Sequence, residues 1–301
     1  MNEKNKRLIV IDSTMHPEAK ELFQKLGNVV VTDTTKPDEK TKQAQIIVIR
    51  TKTKIDREYL AKMKKLQIIA TATSGVDHID MKTAEQKGIK VVSARGQNAD
   101  AVADYVMRTL LYATDDILYT SELLKKGGDF TTIKKNNVRK ELRSLTLGIV
   151  GLGRIGQAVA ARANAFGMKI KAFDPYNKDA KNTIDEALSC DVITLHCELT
   201  DETKYMINEK KLALMKKNTI LINASRGALI DEDALYNALL HKEIKAAILD
   251  VFTDEPKPSK LYKLENTICT PHIAGNSEEG LLQCVKTVFD ETVKVLEERI
   301  N

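Results

Sequence analysis

The sequence predicts an α/β protein with parallel sheets, and three observations support this class. Short apolar runs rich in β-branched residues recur along the chain, and their hydrophobicity is continuous, as in strands that are buried on both faces of a sheet. Helix-period segments separate most of these runs, which indicates βαβ units. The length of 301 residues suggests two domains.

The order of elements follows from these runs and from helix-boundary signals. Asp231 and Ser277 are predicted N-caps because their side chains can accept hydrogen bonds from free helical N–H groups. The polar segment 125–140, with paired glycines and little periodicity, is predicted to be a surface loop near a domain boundary. The predicted strands are 8–11, 46–49, 68–70, 89–92, 147–150, 170–173, 192–195, 219–222, 246–249 and 267–269, and the predicted helices include 17–26, 56–63, 101–118, 155–166, 209–215 and 231–240.

The composition argues against several classes of protein. The 47 basic and 42 acidic residues are interspersed and give a net charge of +5, so we expect no nucleic-acid-binding surface, whereas small anionic ligands fit well. Cys190, Cys197, Cys269 and Cys284 form no CxxC pair and no zinc-ligand ladder, so we expect reduced thiols and no metal site. No segment resembles a signal peptide or a membrane span, and we expect a cytoplasmic protein.

The segment LTLGIVGLGRIG, residues 145–156, is the sharpest local signal. A predicted strand precedes it and a predicted helix follows it, which is the context in which GxGxxG binds a dinucleotide. Gly151 permits the tight turn, Gly153 lets the backbone approach a pyrophosphate, and Gly156 lets the helix pack on the strand. The helix N-terminus, where Arg154 and Ile155 lie, then offers free N–H groups to the phosphates.

Asp174 ends the next predicted strand, 18 residues after Gly156. A carboxylate at this position can accept hydrogen bonds from the ribose hydroxyls of NAD, and it would repel the 2′-phosphate of NADP. The competing interpretation is that Asp174 and Pro175 only end a strand with a turn. With the whole fingerprint present, we expect the cofactor to be NAD.

Three further segments place polar groups after predicted strands, where open α/β sheets bind their ligands. They are NASRG at 223–227, DVFTDEP at 250–256 and TPHIAG at 270–275. Together with GLGRIG, and with TSGVDHID at 73–80, GQNADAVA at 96–103 and DVITLH at 191–196, they resemble the D-isomer-specific 2-hydroxyacid dehydrogenase family. The resemblance extends from about residue 46 to 285 and implies two Rossmann-like, doubly wound parallel-sheet domains with a cleft between them.

The resemblance also implies how the domains divide and what three residues do. An NAD-binding domain, residues 98–271, would interrupt a substrate-binding domain made of residues 1–97 plus 272–301. Arg226 would bind the substrate carboxylate and polarise the adjacent carbonyl. His272 would exchange the proton, and Glu255 would orient its ring and stabilise the charged form. Each residue alone is more commonly structural or solvated, and only the joint match favours catalysis.

Other roles follow from the same resemblance. Ser74 and Gly75 match a turn whose backbone contacts the substrate carboxylate, and Asp250 matches a residue near the nicotinamide amide. The remaining predicted cofactor contacts are Cys197, Ala224, Ser225 and Gly275. The chain departs from the family at Arg95, which replaces a common proline, and also at Glu198 and Asp104.

The substrate is the least determined part of the prediction. Arg50, in the segment RTKTK, matches a residue that meets the substrate phosphate in 3-phosphoglycerate dehydrogenases, and Arg95 would join it in an anion site. This favours oxidation of 3-phosphoglycerate to 3-phosphohydroxypyruvate in serine biosynthesis, by a short form without a regulatory extension. A glyoxylate or hydroxypyruvate reductase, a 4-phosphoerythronate dehydrogenase and an NAD(H)-sensing corepressor stay open. Apolar residues on more than one face of the helix at 101–118, in a region that dimerises in the family, predict a homodimer.

Overall fold

The computed structural model describes residues 7–115 and 117–299; the polar start of the chain, residues 1–6, lies outside the described residues. The strands are β1 Arg7–Asp12, β2 Gly27–Thr32, β3 Ile46–Ile49, β4 Ile68–Thr71, β5 Lys90–Ser93, β6 Thr146–Val150, β7 Lys169–Phe173, β8 Val192–Leu195, β9 Ile220–Asn223, β10 Ala246–Leu249 and β11 Thr267–Cys269. The helices are α1 Glu18–Phe23, α2 Arg57–Lys62, α3 Met81–Gln86, α4 Ala99–Thr114, α5 Ile117–Lys125, α6 Phe130–Asn136, α7 Arg154–Ala165, α8 Ile184–Leu188, α9 Glu209–Leu212, α10 Glu232–Leu240 and α11 Glu278–Glu298.

The chain forms two compact units. Unit 1 contains the residues up to Asn98 and those from Asn276 onward, and unit 2 is Ala99–Gly275. The divisions fall one and four residues after the predicted boundaries at 97 and 271, so His272 belongs to unit 2. The prediction of a domain boundary near residues 125–140 is wrong, because that whole segment lies within unit 2.

Unit 1 contains a parallel sheet with strand order β2-β1-β3-β4-β5. Successive residues of its strands point to opposite faces, and each face has its own apolar core. Ile9 and Ile11 pack with residues of α1 and α11, whereas Val10 packs with residues of α2 and α3. The sequence reading missed β2, because this edge strand is only half buried and lacks a long apolar run.

Unit 2 contains a second parallel sheet, with strand order β11-β10-β9-β8-β6-β7. The chain leaves β6 toward β7 on one side and continues from β8 to β11 on the other, which is the pattern of a doubly wound fold. The predicted α/β class with two Rossmann-like domains is therefore confirmed. In such a sheet, ligands bind at the carboxyl ends of the strands beside the point where the strand order reverses.

Helix boundaries agree with the sequence where caps are strong and differ where they are not. Asp231 caps α10 by accepting from Asp233 N and Ala234 N, and Ser277 caps α11, as predicted. The predicted helix 101–118 is too long: α4 ends at Thr114 and α5 begins at Ile117.

The predicted loop at 125–140 contains α6, which is capped by Asp129 and buries no side chain. A short helix without a buried apolar face leaves no periodic signal in the sequence. Among the described residues, no helix combines the length and the apolar character needed to cross a membrane.

Candidate active site

The glycine turn connects β6 to α7, and its three glycines meet different surroundings. Gly151 has φ +95°, and a Cβ there would lie 2.6 Å from the carbonyl carbon of His196. A Cβ on Gly156 would lie 2.1 Å from the carbonyl oxygen of Gly151, so this glycine lets α7 approach the turn. A Cβ on Gly153 would meet no heavy atom within 4 Å. The open side of the turn is therefore at Gly153, the N-cap of α7.

Asp174 lies at the end of β7, and its carboxylate faces the glycine turn. Its Oδ2 accepts a hydrogen bond from Leu152 N at 2.7 Å, and its Oδ1 accepts one from Tyr176 N at 2.8 Å. A carboxylate offers about four acceptor positions, so positions for ribose hydroxyls remain on both oxygens. The Leu152 carbonyl accepts from Gln157 and Asn177, two contacts that the sequence reading missed.

A cavity of about 630 Å³ opens at this turn. Its lining residues are Leu152, Gly153, Arg154, Gln157, Asp174, Tyr176, Asn177 and Lys178. The features that NAD requires are present together: a helix N-terminus for the pyrophosphate, space beside Gly153 and a carboxylate for the ribose. The residues of unit 2 therefore fit this cofactor. Across residues 7–115 and 117–299, no group of three or more His, Cys, Asp and Glu side chains could hold a metal ion.

Arg226 follows β9 in a tightly held loop. Asn223, the last residue of β9, donates from Nδ2 to the Arg226 carbonyl at 2.9 Å and accepts from Ser225 N at 3.1 Å. A Cβ on Gly227 would lie 2.0 Å from the carbonyl carbon of Phe252, so the loop after β9 packs directly against the segment after β10. Arg226 Nη1 donates to the Ser225 carbonyl at 2.7 Å.

His272 and Glu255 form a hydrogen-bonded pair, with 2.8 Å between Nδ1 and Oε2. The second oxygen of Glu255 accepts from Phe252 N at 2.8 Å. Burial acts to raise the pKa of Glu255, but hydrogen bonds from His272 and Phe252 N and the nearby Arg226 guanidinium together lower it below its ordinary value. Glu255 is therefore an ionised acceptor, which assigns the proton to Nδ1 and leaves Nε2 to exchange a proton with a ligand.

Asp250 holds the backbone around His272. Its carbonyl accepts from His272 N at 2.8 Å, and its carboxylate accepts from Ile273 N at 2.8 Å and Ala274 N at 2.7 Å. His272 has φ +56°, a conformation that costs a non-glycine residue about 1–3 kcal/mol and persists only when its surroundings enforce it. The family resemblance predicts that Asp250 lies near the nicotinamide amide, and this role stays a prediction; the contacts observed for Asp250 are to this strained segment.

The other predicted cofactor contacts of unit 2 lie on the same strand ends or on α7. Ser225 Oγ donates to the Cys197 carbonyl at 3.1 Å, which joins the loops after β8 and β9. Burial raises the pKa of the Cys197 thiol to about 11, so this cysteine is a thiol at neutral pH. Ile155 and Ala224 pack against the core, and Gly275 is the last residue of unit 2.

The predicted substrate residues outside the Arg226 and His272 loops lie in unit 1. Ser74 Oγ donates to Asn98 Oδ1 at 2.6 Å and accepts from Gly96 N at 3.1 Å, which fixes the turn that contains Gly75. Arg95 is exposed.

Arg50 donates from Nη2 to Asn276 Oδ1 at 2.5 Å, and its Nε is buried without a hydrogen-bond acceptor among the described residues. The sequence did not predict this contact with Asn276, which is 226 positions away from Arg50.

Two departures from the family pattern have structural partners. Asp104, on α4, accepts a hydrogen bond from Arg162 Nε on α7 at 2.7 Å, so it joins two helices of unit 2. Glu198 has an exposed side chain, and its carbonyl accepts from Thr203 Oγ1 at 2.7 Å. Neither residue lines the cavity at the glycine turn.

Comparison with known proteins settles the family. Residues 107–274 match the NAD-binding domain of D-isomer-specific 2-hydroxyacid dehydrogenases. The chain belongs to the D-isomer-specific 2-hydroxyacid dehydrogenase family. It is 40% identical to the D-3-phosphoglycerate dehydrogenase of Methanocaldococcus jannaschii over 96% of this chain and 57% of that one. It is 36% identical to the hydroxypyruvate reductase of Thermotoga maritima over 93% of this chain and 97% of that protein.

Solved structures of the family agree with this assignment. The D-lactate dehydrogenase of Aquifex aeolicus, crystallised with NAD and lactic acid, matches with a TM-score of 0.82 and 32% identity, over 97% of this chain and 95% of that one. The chain spans 57% of the length of the Methanocaldococcus relative, but it spans nearly the full length of the lactate dehydrogenase. The predicted family, fold and cofactor are therefore confirmed.

Proposed function

We propose that this 2-hydroxyacid dehydrogenase transfers a hydride between NAD(H) and C2 of a small 2-hydroxy or 2-keto acid. The observation that carries the proposal is the His272–Glu255 pair, 2.8 Å apart, in the same unit as the glycine turn and Arg226. Unit 2 would be the NAD-binding domain, and unit 1 would be the substrate-binding domain.

Arg226, His272 and Glu255 would each have a separate role in the reaction. When bound, NADH supplies the hydride that reduces the carbonyl carbon. Arg226 binds the substrate carboxylate through its planar fork and polarises the adjacent carbonyl. His272 gives the proton on Nε2 to the carbonyl oxygen during reduction and takes it back during oxidation. Glu255 holds Nδ1, so the ring cannot turn away and the imidazolium is stabilised after it gains a proton.

We propose a phosphorylated acid, 3-phosphoglycerate, as the substrate that is oxidised, in serine biosynthesis. The Arg50 guanidinium supports this, because it is half-buried, its Nη2 donates to the neutral amide oxygen of Asn276, and a phosphate would give this cation a charge-assisted partner. The relatives do not decide the matter, since a D-3-phosphoglycerate dehydrogenase is 40% identical, a glyoxylate reductase 39% and a hydroxypyruvate reductase 36%.

A substrate panel tests this proposal. We expect phosphohydroxypyruvate to have a kcat/KM at least about ten-fold above that of glyoxylate, which corresponds to one charge-assisted contact. Arg50→Ala should remove this preference and leave glyoxylate reduction unchanged. Lys52→Ala is the matched control, because the Lys52 side chain is 58% exposed and its ammonium lies 3.8 Å from Asp33 Oδ2. Equal activity of the wild type on both acids would exclude the phosphate site.

We also propose that the enzyme is a homodimer. Apolar side chains on α4, α5 and α6 are exposed, a pattern that marks an interaction surface. They include Tyr112 at 57%, Ile117 at 61%, Leu118 at 63%, Tyr119 at 62% and Phe130 at 66% exposure. Light scattering should give twice the chain mass of 33.6 kDa, and Leu118→Lys should lower it toward the monomer. A wild-type monomer at micromolar concentration would contradict the proposal.

A further inference from the structure

Two hydroxyl groups connect helix α4 to the segment that contains His272. The Tyr105 hydroxyl, on α4, lies 2.6 Å from Thr270 Oγ1, and Thr270 Oγ1 donates to Asp250 Oδ1 over 2.6 Å. Because the Thr270 proton is committed to the carboxylate, Tyr105 must be the donor to Thr270. The hydrogen bonds therefore run in one direction, from Tyr105 through Thr270 to Asp250.

The hydrogen-bond chain ends on the Asp250 carboxylate, which holds the backbone of the two residues that follow His272. Asp250 is 0% exposed, and its carboxylate accepts from the N–H groups of Ile273 and Ala274, the two residues after His272. Such buried networks act as units, because each hydrogen bond polarises the next one. A change at Tyr105 would therefore reach the segment after His272 through Thr270 and Asp250.

Tyr105 is also suited to be a permanent donor. It is partly buried against the apolar core of unit 2, and burial raises the pKa of its hydroxyl to about 12. The ionisable groups near its hydroxyl are Asp250, at the end of β10, and Cys269, at the end of β11. The phenol therefore stays protonated throughout the neutral range. Phenylalanine would fill the core position equally well, so packing alone does not account for the hydroxyl.

We propose that Tyr105 is a positioning residue for His272: its hydroxyl completes the hydrogen-bond chain that fixes the backbone directly after this residue, while Glu255 fixes its ring. This inference rests on the proposed function of His272. His272 is then held at two points by groups from different parts of unit 2. Tyr105 lies 165 positions before Thr270 in the sequence, so the contact exists only in the folded protein.

Single-turnover reduction of hydroxypyruvate by Tyr105→Phe is the central test. We expect the rate of hydride transfer to fall about five-fold, the size of one net hydrogen bond, with the Kd for NADH unchanged. Thr270→Val should cause at least as large a loss, and Thr270→Ser, which keeps the hydroxyl, should restore the rate. In the Thr270→Val background, Tyr105→Phe should have no further effect, because the two side chains act through one chain of hydrogen bonds.

Tyr59→Phe is the matched control, since it also removes a buried tyrosine hydrogen bond, donated to the Thr34 carbonyl at 2.9 Å in unit 1. It should lower the Tm and leave the rate of hydride transfer unchanged. A Tyr105→Phe enzyme with a lower Tm but the wild-type rate would overturn the inference, as would losses that multiply in the double variant. His272→Gln distinguishes a failure of the proposed function from a failure of this inference. If His272→Gln stays active, the proposed function is wrong. If His272→Gln is inactive while Tyr105→Phe has the wild-type rate, only the positioning role of Tyr105 is wrong.

Discussion

A substitution at Gly153 should affect the binding of the cofactor without destabilising the fold. A Cβ at this position would meet no heavy atom within 4 Å, and its backbone, with φ −73° and ψ −162°, is open to any residue. Gly153→Ala should therefore leave stability unchanged or raise it by about 0.4–1 kcal/mol, because alanine restricts the unfolded chain. The added methyl group instead occupies the space through which the turn would approach a pyrophosphate.

The expected consequence is a weaker complex with NADH. We predict that the Kd rises at least about ten-fold, which is ~1.4 kcal/mol. Fluorescence titration with NADH measures the affinity, and thermal unfolding of the same samples measures the stability. Unchanged affinity in Gly153→Ala would refute the assignment of this turn to the pyrophosphate.

Two other glycines provide controls. A Cβ on Gly156 would lie 2.1 Å from the Gly151 carbonyl oxygen, so Gly156→Ala must displace the backbone. This substitution should lower the free energy of unfolding by about 1–3 kcal/mol. Gly88 lies in unit 1 with φ +67° and open space around its Cβ position. Gly88→Ala should lower the Tm through backbone strain and leave the Kd for NADH unchanged.

Three further changes have defined outcomes. Asp174→Asn should raise kcat/KM with NADPH relative to NADH at least about ten-fold, because it removes the charge that repels a 2′-phosphate; an unchanged ratio in steady-state assays would contradict this. Arg226→Lys should lower kcat/KM for every 2-keto acid at least about ten-fold, because lysine cannot pair bidentately with a carboxylate; wild-type kinetics would exclude the carboxylate role. Burial opposes ionisation of Asp191, but hydrogen bonds from Thr146 and Lys216 outweigh it and hold the pKa of this carboxyl far below its ordinary value of 3.8. The ionised Asp191 carboxylate thus contributes its full stabilisation above pH 3.8, and this stabilisation is lost as the pH falls through the lower pKa of the folded state. Asp191→Asn should therefore lower the free energy of unfolding by about 1–3 kcal/mol at pH 7 and by progressively less in acid. Denaturant unfolding that shows the same loss of stability at pH 7 and pH 2.5 would contradict this.

The parts of the site that sequence could predict are those encoded in contiguous residues. The glycines at 151, 153 and 156 follow a strand and begin a helix, and this spacing can be recognised in the sequence without knowledge of the rest of the fold. Asp231 and Ser277 cap their helices through residues three positions away or fewer. Such signals depend on local backbone geometry, so a single sequence contains them in full.

The contacts and elements that the sequence did not predict depend on residues far apart in the chain or lack a hydrophobic pattern. Asn276 contacts Arg50, and Tyr105 contacts Thr270, only because the fold brings them together. β2 is a half-buried edge strand and α6 buries nothing, so neither leaves the hydrophobic pattern by which elements are recognised. The contacts of Asp250 with the His272 backbone could not be predicted either, because they require the positive φ of a residue 22 positions later.

Transfer of deuterium from NADH deuterated at both C4 positions tests the central claim most directly. The wild-type enzyme is incubated with hydroxypyruvate, phosphohydroxypyruvate or glyoxylate, and mass spectrometry locates the label in the product. We expect one deuterium at C2 of the hydroxy acid, and no transfer by His272→Gln, although this variant still binds NADH. A product without label from all three acids, or a His272→Gln enzyme that transfers deuterium at the wild-type rate, would contradict the account.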